Sequence, residues 1–168
     1  MNIFEPKFTS REFADKLGVT TENLRDWRRR GLDLGLGVAV NDRKMYSLFD
    51  VFESGVMNRL RYQALDDLKE AFRIARRIAP IIAHRAGYSL NGYPYAGDTL
   101  VGQGRFLLVT AIGEYVVTND IAEAATSLQS GSQGSEFKRY VFRVIDCDEF
   151  ACDVGQLLAD TIGEATAI

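Results

Sequence analysis

The stretch FTSREFADKLGVTTENLRDWRRRGL, residues 8–32, decides the fold of the first part of the chain. Thr9 and Glu12 have the spacing of a capping box, in which each side chain bonds the backbone N–H of the other and a helix begins. Gly18 supplies the left-handed backbone that ends a helix sharply, and the two threonines after it are good caps for a second helix. Gly31 marks where that helix stops. The stretch therefore predicts two short helices joined by a tight turn.

The second of these helices has an apolar face and a charged face. Leu24 and Trp27 point into the same small core as Phe13 of the first helix. At about 3.6 residues per turn, the opposite face is charged. It holds Glu22, Arg25, Asp26 and Arg29, with Arg28 on its flank. A helical hairpin with a solvated basic face is the plain alternative, but the pattern is typical of a helix-turn-helix, which places its second helix in the DNA major groove.

A β-hairpin is predicted next, in LGLGVAVNDRKMYS, residues 34–47. The run is extended, and it turns at Asn41 and Asp42, two residue types that tolerate the left-handed backbone of a short hairpin. Arg43 and Lys44 would project from the return strand, where cations can neutralise phosphates. An ordinary soluble hairpin is the alternative for these two residues. A further helix is predicted to run from this hairpin to about residue 62.

The segment GVTTENLRDWRRRGL, residues 18–32, resembles the MerR-type winged helix, whose pattern runs Gly-Val-Ser-x-x-Thr-Leu-Arg-Tyr-Tyr-Glu-Arg-x-Gly-Leu. The matching residues are Gly18, Val19, Leu24, Arg25, Arg29, Gly31 and Leu32, whereas Asp26, Trp27 and Arg28 depart from the Tyr-Tyr-Glu segment. RKMYSLFDV, residues 43–51, resembles the end of the family's wing. The resemblance spans about residues 8–62, and excisionase-type winged helices fit nearly as well.

The resemblance implies binding to double-stranded DNA by the second helix and the wing. The residues predicted to contact bases and phosphates are Thr21, Arg25, Arg28 and Arg29, and those predicted to hold the flanking backbone are Arg43 and Lys44. The resemblance also implies a homodimer or a higher homo-oligomer, because MerR-like proteins dimerise through a helix placed after the winged domain.

A packing helix is predicted from about Leu65 to Ala79. Its apolar residues repeat at alternating spacings of three and four, which is a heptad seam. They are Leu65, Leu68, Phe72, Ala75, Ala79 and Ile82. Pro80 removes a helical hydrogen bond, so we expect the helix to end or kink near Ala79. The seam is short for a free-standing coiled coil, but its apolar surface could serve a dimer.

The second half of the chain predicts a small domain with the element order ββαβα. RFLLVTAI and YVVTN flank Gly113 and Glu114, a two-residue hairpin turn with glycine first. The fold class is therefore α+β. The predicted parts are a winged helix-turn-helix (residues 1–62), a connecting helix (63–86), a linker rich in glycine and tyrosine (87–104) and a self-association or partner-binding domain (105–168).

The charges of the chain are divided unevenly. Its net charge is −3, which is not that of a strongly basic DNA-binding protein. Residues 1–85, however, carry 16 basic and 12 acidic side chains, whereas residues 86–168 carry 4 and 11. The halves therefore have net charges of +4 and −7. This asymmetry points to a nucleic-acid surface in the first half and a different role in the second.

The residue types that catalysis and metal binding require are scarce in this sequence. His84 is the only histidine, so a two-histidine metal site and a serine nucleophile with its base are not expected. Cys147 and Cys152 have C-x4-C spacing, which is not a zinc-ribbon pattern, and we expect both thiols to be reduced and buried. We predict no enzyme, no metal and no cofactor. Without a signal peptide or a membrane-length apolar run, we expect a cytoplasmic protein.

The leading hypothesis is a sequence-specific DNA-binding transcriptional regulator of bacterial or phage type. One alternative is a phage or mobile-element architectural factor, such as an excisionase or a DNA-packaging component, that uses the same winged helix. Another is a protein-interaction module in which the winged helix docks a protein. A protein partner could also bind through the C-terminal half.

Overall fold

The computed structural model describes residues 2–32, 35–63, 65, 67–88, 104–110, 115–130 and 142–165. The elements are β1 (Pro6–Thr9), α1 (Ser10–Leu17), α2 (Thr21–Arg29), β2 (Val38–Val40), β3 (Arg43–Ser47), α3 (Leu48–Gln63), α4 (Leu68–Arg85), β4 (Phe106–Thr110), β5 (Tyr115–Thr118), α5 (Ile121–Ser130), β6 (Phe142–Asp146) and α6 (Cys147–Ala165). The α+β class is confirmed, and so is the ββαβα order of the second half. Of the predicted linker, residues 87–104, only residues 87, 88 and 104 are described, and the predicted turn at Gly113 and Glu114 lies outside the described residues.

The local signals at the start of the chain act as the sequence predicts. The N–H of Thr9 donates to Glu12 Oε2 at 2.7 Å, and the N–H of Glu12 donates to Thr9 Oγ1 at 3.3 Å, which completes the capping box of α1. Gly18 ends α1 with a φ of +64°. Of the two candidate caps of α2, Thr20 is the one used, because its Oγ1 accepts from the N–H of Asn23 at 3.2 Å.

The wing is a three-stranded antiparallel sheet with the order β1-β3-β2. Its hairpin turns at Asn41 and Asp42, whose φ values of 48° and 59° are those of a type I′ turn. The strand β1 was not predicted, because PKFT is only four residues long, begins with proline and shows no alternation of its own. It is held by its pairing with β3, a long-range interaction that local sequence does not report.

The loop before the wing is fixed to the helices by charged side chains. Asp50, near the start of α3, accepts from the N–H of Ser47 at 2.6 Å and from the N–H of Gly37 at 3.0 Å. The Arg76 guanidinium of α4 lies so close to Gly35 that a Cβ there would overlap it. Glu53 is buried near both groups, 8% exposed. Helices α3 and α4 therefore contact the chain at Gly35 and Gly37, just before the hairpin.

Helix α4 continues to Arg85 with Pro80 inside it, so it does not end near Ala79, which was one of the two predicted outcomes. A proline in a helix interior costs about 3 kcal/mol. Ile81 and Ile82 in the following turn are both buried, and burying one such side chain stabilises the fold by about 1.5–3 kcal/mol. Packing of this last turn therefore outweighs the cost of the proline.

The heptad seam of α4 does not form a free apolar surface. Leu65, Phe72, Ala75, Ala79 and Ile82 are buried in the chain's own hydrophobic core, and Leu68 is half-buried and packs against it. The core cluster includes α2, because the rings of Trp27 and Phe72 meet edge to face with centroids 5.4 Å apart. A dimer would have to use another surface.

The second sheet is antiparallel with the order β5-β4-β6. Leu107 and Val109 of the central strand join the same core cluster as α3 and α4, and α5 contacts β4 and β5. Asp120 caps α5, because its Oδ1 accepts from the N–H of Glu123 at 2.9 Å. The core thus runs from the winged domain into the second half of the chain.

The acidic residues at the start of α6 bind arginines of other elements. Asp153 pairs with Arg59 of α3, and Asp148 pairs with Arg85 of α4. Among the described residues, no cluster of histidine, cysteine, aspartate and glutamate side chains has the form of a metal site.

The two cysteines differ in exposure. Both are free thiols, but Cys147 is buried and Cys152 is exposed, so the prediction that both are buried is wrong for Cys152. Burial raises the pKa of Cys147 to about 11. The helical period explains the difference, because positions five residues apart are rotated by about 140° around the axis of α6. No helix in the described part of the chain is long and apolar enough to cross a membrane.

Candidate nucleic-acid interface

Helix α2 buries one side and exposes a row of arginines on the other. Leu24 and Trp27 are buried at 4% and 7% exposure. The side chains of Arg25 and Arg29 on the opposite side are 74% and 82% exposed. The helix is therefore anchored by its apolar residues and presents guanidinium donors outward, as a helix that enters the major groove must.

Arg25 and Arg29 each have an acidic neighbour on the same helix. Arg25 Nη1 lies 3.5 Å from Glu22 Oε1, and Arg29 Nη2 lies 2.7 Å from Asp26 Oδ1. The second oxygen of Asp26 lies 3.4 Å from Nη1 of Arg30. The hydrogen bond from Arg29 keeps the pKa of Asp26 below its usual value, so this carboxylate is ionised at neutral pH.

Arg28 joins helix α2 to the wing. Its Nη2 donates to Tyr46 Oη at 3.0 Å. Tyr46 belongs to β3, is 1% exposed and stacks on Phe13 with ring centroids 4.0 Å apart. Because this tyrosine is fixed in the core, the bond from Arg28 ties α2 to the return strand of the hairpin.

The two cations of the wing project from opposite faces of its sheet. Arg43 pairs with Val40 in the hairpin, and both lie on the face away from Tyr46. Lys44 lies on the same face as Tyr46, with its Nζ 5.8 Å from the ring centroid. Successive strand residues alternate in direction, so the adjacency of Arg43 and Lys44 in the sequence does not place them together.

Thr21 is the first residue of α2 and is half-buried. Its Oγ1 donates to Glu22 Oε2 at 3.5 Å, and it is not used for capping, which Thr20 performs. Thr21, Arg25 and Arg29 therefore share one helix, and Arg28 and Lys44 meet around Tyr46. Arg43 stands apart at the tip of the hairpin. Their contacts with DNA remain predictions.

Two residues of this surface were missed by the sequence analysis. Arg30, which follows α2, is 57% exposed and pairs with Asp26; its place within the run of arginines was the signal. Tyr46 has a buried ring and a hydroxyl that faces α2. The sequence held no signal for the bond to Arg28, because the two residues come together only when the hairpin folds back.

The helix-turn-helix and the wing match a known protein family. Residues 8–64 match the family model described as MerR HTH family regulatory protein, which confirms the resemblance found in the sequence and indicates a DNA-binding regulator. No curated protein matches the chain.

Proposed function

We propose that this chain, in which residues 8–64 form a MerR-like helix-turn-helix domain, is a sequence-specific transcriptional regulator that binds double-stranded DNA as a dimer. In this proposal α2 enters the major groove, and Thr21, Arg25 and Arg29 approach bases and phosphates. Arg28, which the sequence grouped with the base-contacting residues, is instead assigned with Lys44 to the flanking backbone, because its guanidinium bonds Tyr46 of the wing. Arg43 reaches the backbone from the tip of the wing.

The observation that carries the proposal is the pairing of a buried anchor with exposed donors on α2. Arginine contacts guanine through two hydrogen bonds in the major groove, and the exposed guanidiniums of Arg25 and Arg29 project from a helix that Leu24 and Trp27 hold in place. The Arg28–Tyr46 bond supports the proposal further, because it couples the helix and the wing into one surface.

The dimer is supported by the resemblance to proteins that dimerise after their winged domain. The seam of α4 does not supply the surface, because the chain covers it itself. Two linked domains on two half-sites gain effective concentration, which can raise affinity by about 100-fold or more without new base contacts. The acidic second half, with its net charge of −7, is repelled by phosphates and is the part we assign to association.

The test is selection of bound duplexes from a pool with a randomised central segment, followed by mapping of bound sites in the source genome. We expect an enriched motif with two half-sites, and bound sites concentrated at promoters. Sites concentrated at recombination or packaging sequences would favour an architectural factor. Absence of salt-sensitive DNA binding would favour a protein-interaction module.

A further inference from the structure

We propose that Asp26 is a specificity-determining residue of helix α2, because it holds Arg29 and Arg30 in a fixed orientation and weakens contact with non-cognate DNA. The inference rests on the proposed DNA binding and extends it to an acidic residue of the contact surface. The MerR pattern has tyrosine at this position, so the carboxylate is a property of this chain.

The geometry of Asp26 is that of a support for two guanidiniums. Its Oδ1 lies 2.7 Å from Arg29 Nη2, and its Oδ2 lies 3.4 Å from Arg30 Nη1. The side chain of Asp26 is 38% exposed, less than the 82% of Arg29 and the 57% of Arg30. The carboxylate therefore lies nearer the helix, and both guanidiniums extend outward from it.

A supported arginine discriminates better between bases than a freely rotating one. The guanidinium has five N–H donors in a fixed plane, so Arg29 can bond Asp26 through one and still offer a pair to the O6 and N7 of guanine. An arginine already held in one orientation loses less side-chain entropy when it binds. It also adapts less well to a base that presents a different pattern.

The charge of Asp26 acts differently on cognate and non-cognate DNA. A carboxylate among phosphate-binding side chains is repelled by any DNA backbone. At a cognate site the oriented arginine contacts offset this repulsion, whereas at other sites they do not form. Asp26 should therefore lower affinity in general and raise the ratio of specific to non-specific affinity.

Two substitutions at Asp26 and one matched control separate orientation from charge. Asp26→Asn removes the charge and weakens the support, and Asp26→Glu keeps the charge but moves it by one methylene. Glu22→Gln is the control, because Glu22 lies on the same exposed face and contacts Arg25 at 3.5 Å, a longer distance than that between Asp26 and Arg29. Each full-length variant is titrated at matched salt with the duplex that the wild type selects and with a scrambled duplex.

We expect Asp26→Asn to bind the scrambled duplex about two- to five-fold more tightly, the scale of one exposed charge pair. Its specificity ratio should fall by about five-fold or more, part of what a bidentate arginine contact provides. Asp26→Glu should also lower the ratio of specific to non-specific affinity. It should not bind the scrambled duplex more tightly, because it keeps the charge. Glu22→Gln should lower the ratio of specific to non-specific affinity less than Asp26→Asn does, because the 3.5 Å contact of Glu22 with Arg25 is longer than the 2.7 Å contact of Asp26 with Arg29.

The outcomes distinguish this inference from the proposed function. A wild type without sequence preference overturns both. A wild type that discriminates, with Asp26 variants that discriminate equally well, overturns the role of Asp26 alone. The same holds if Glu22→Gln lowers the ratio as much as Asp26→Asn, since charge density would then account for the effect.

Discussion

Arg25 and Arg29 are exposed and have no part in the core, so their removal tests DNA binding without disturbing the fold. We expect Arg25→Ala with Arg29→Ala to abolish specific binding, because each bidentate arginine–guanine pair that is removed costs about 1–3 kcal/mol. The control is Arg61→Ala with Arg77→Ala, which removes two exposed arginines from α3 and α4. Unchanged affinity of the first variant for the selected duplex, in a gel-shift titration, would refute the assignment.

A second prediction at the scale of the residue concerns Glu53 and the stability of the fold. Burial raises the pKa of Glu53 from 4.5 to about 7, with Arg76 opposing the shift and Asp50 adding to it. The folded chain therefore binds more protons than the unfolded chain between these two pH values, and the free energy of unfolding falls as pH rises through that window. The loss should reach about 3 kcal/mol and level off above pH 7.

The matching variant is Glu53→Gln, which cannot ionise. Chemical denaturation at a series of pH values should show this part of the slope in the wild type and not in the variant, which should be the more stable protein at pH 8. If the stability of the wild type does not fall between about pH 4.5 and 7, the pKa of Glu53 is not raised. Interactions with its ionised form would then offset the effect of burial.

At the scale of the element, the local sequence predicted those helix ends and turns that depend on interactions between neighbouring residues. The capping box of Thr9, the stop at Gly18 and the hairpin turn at Asn41 and Asp42 depend on neighbours within four residues, and all three are confirmed. The continuation of α4 through Pro80 depends on the burial of the turn after it. That burial comes from distant parts of the chain, so the local sequence could not supply it.

The same limit applied to the interface. Alternation in β3 could have separated Arg43 from Lys44, because the period of a strand is two. The Arg28–Tyr46 bond could not be predicted, since it needs the angle between α2 and the wing. The exposed face of α2 could be predicted from the sequence, because the helical period alone places Arg25 and Arg29 opposite Trp27.

Packing between elements leads to a prediction for Trp27. Trp27→Ala and Phe72→Ala should each lower the free energy of unfolding by about 3–5 kcal/mol, because each removes a buried aromatic ring. The double variant should cost less than the sum by about 0.5–1.5 kcal/mol, the coupling expected of an edge-to-face pair. Thermal and chemical unfolding measure all three. A Trp27→Ala protein of normal stability that only loses DNA binding would contradict the anchoring role.

At the scale of the whole molecule, one core cluster includes residues of α1, α2, α3, α4 and α6. The predicted division at residue 62 passes through the α3–α4 packing, the most extensive contact between helices in the described residues. A fragment of residues 1–62 lacks α4 and therefore exposes the side of α3 that packs against it. A fragment of residues 1–88 contains α4 and keeps the contact between Phe72 and Trp27. The two fragments therefore form a matched pair for testing what the second half contributes.

We expect either fragment to bind a single site weakly and the full chain to bind more tightly, by about 100-fold or more, through linked units. Residues 1–88 should be the better folded of the two fragments. Sedimentation and DNA titration at matched salt measure both properties. If the full chain is a monomer with the affinity of residues 1–88, self-association is refuted, and docking of a protein partner becomes the better account of the acidic half.

The contrast between the two cysteines provides a way to follow these events in the native chain. Cys147 is buried and its thiol is hard to ionise, whereas Cys152 is exposed on α6. The thiolate is the reactive form, so a maleimide dye should attach at Cys152 alone while the chain stays folded. The dye would stand next to Asp153, which pairs with Arg59 of α3. Fluorescence of the unmutated protein would thus report any movement of α6 against α3 when DNA or a second copy binds.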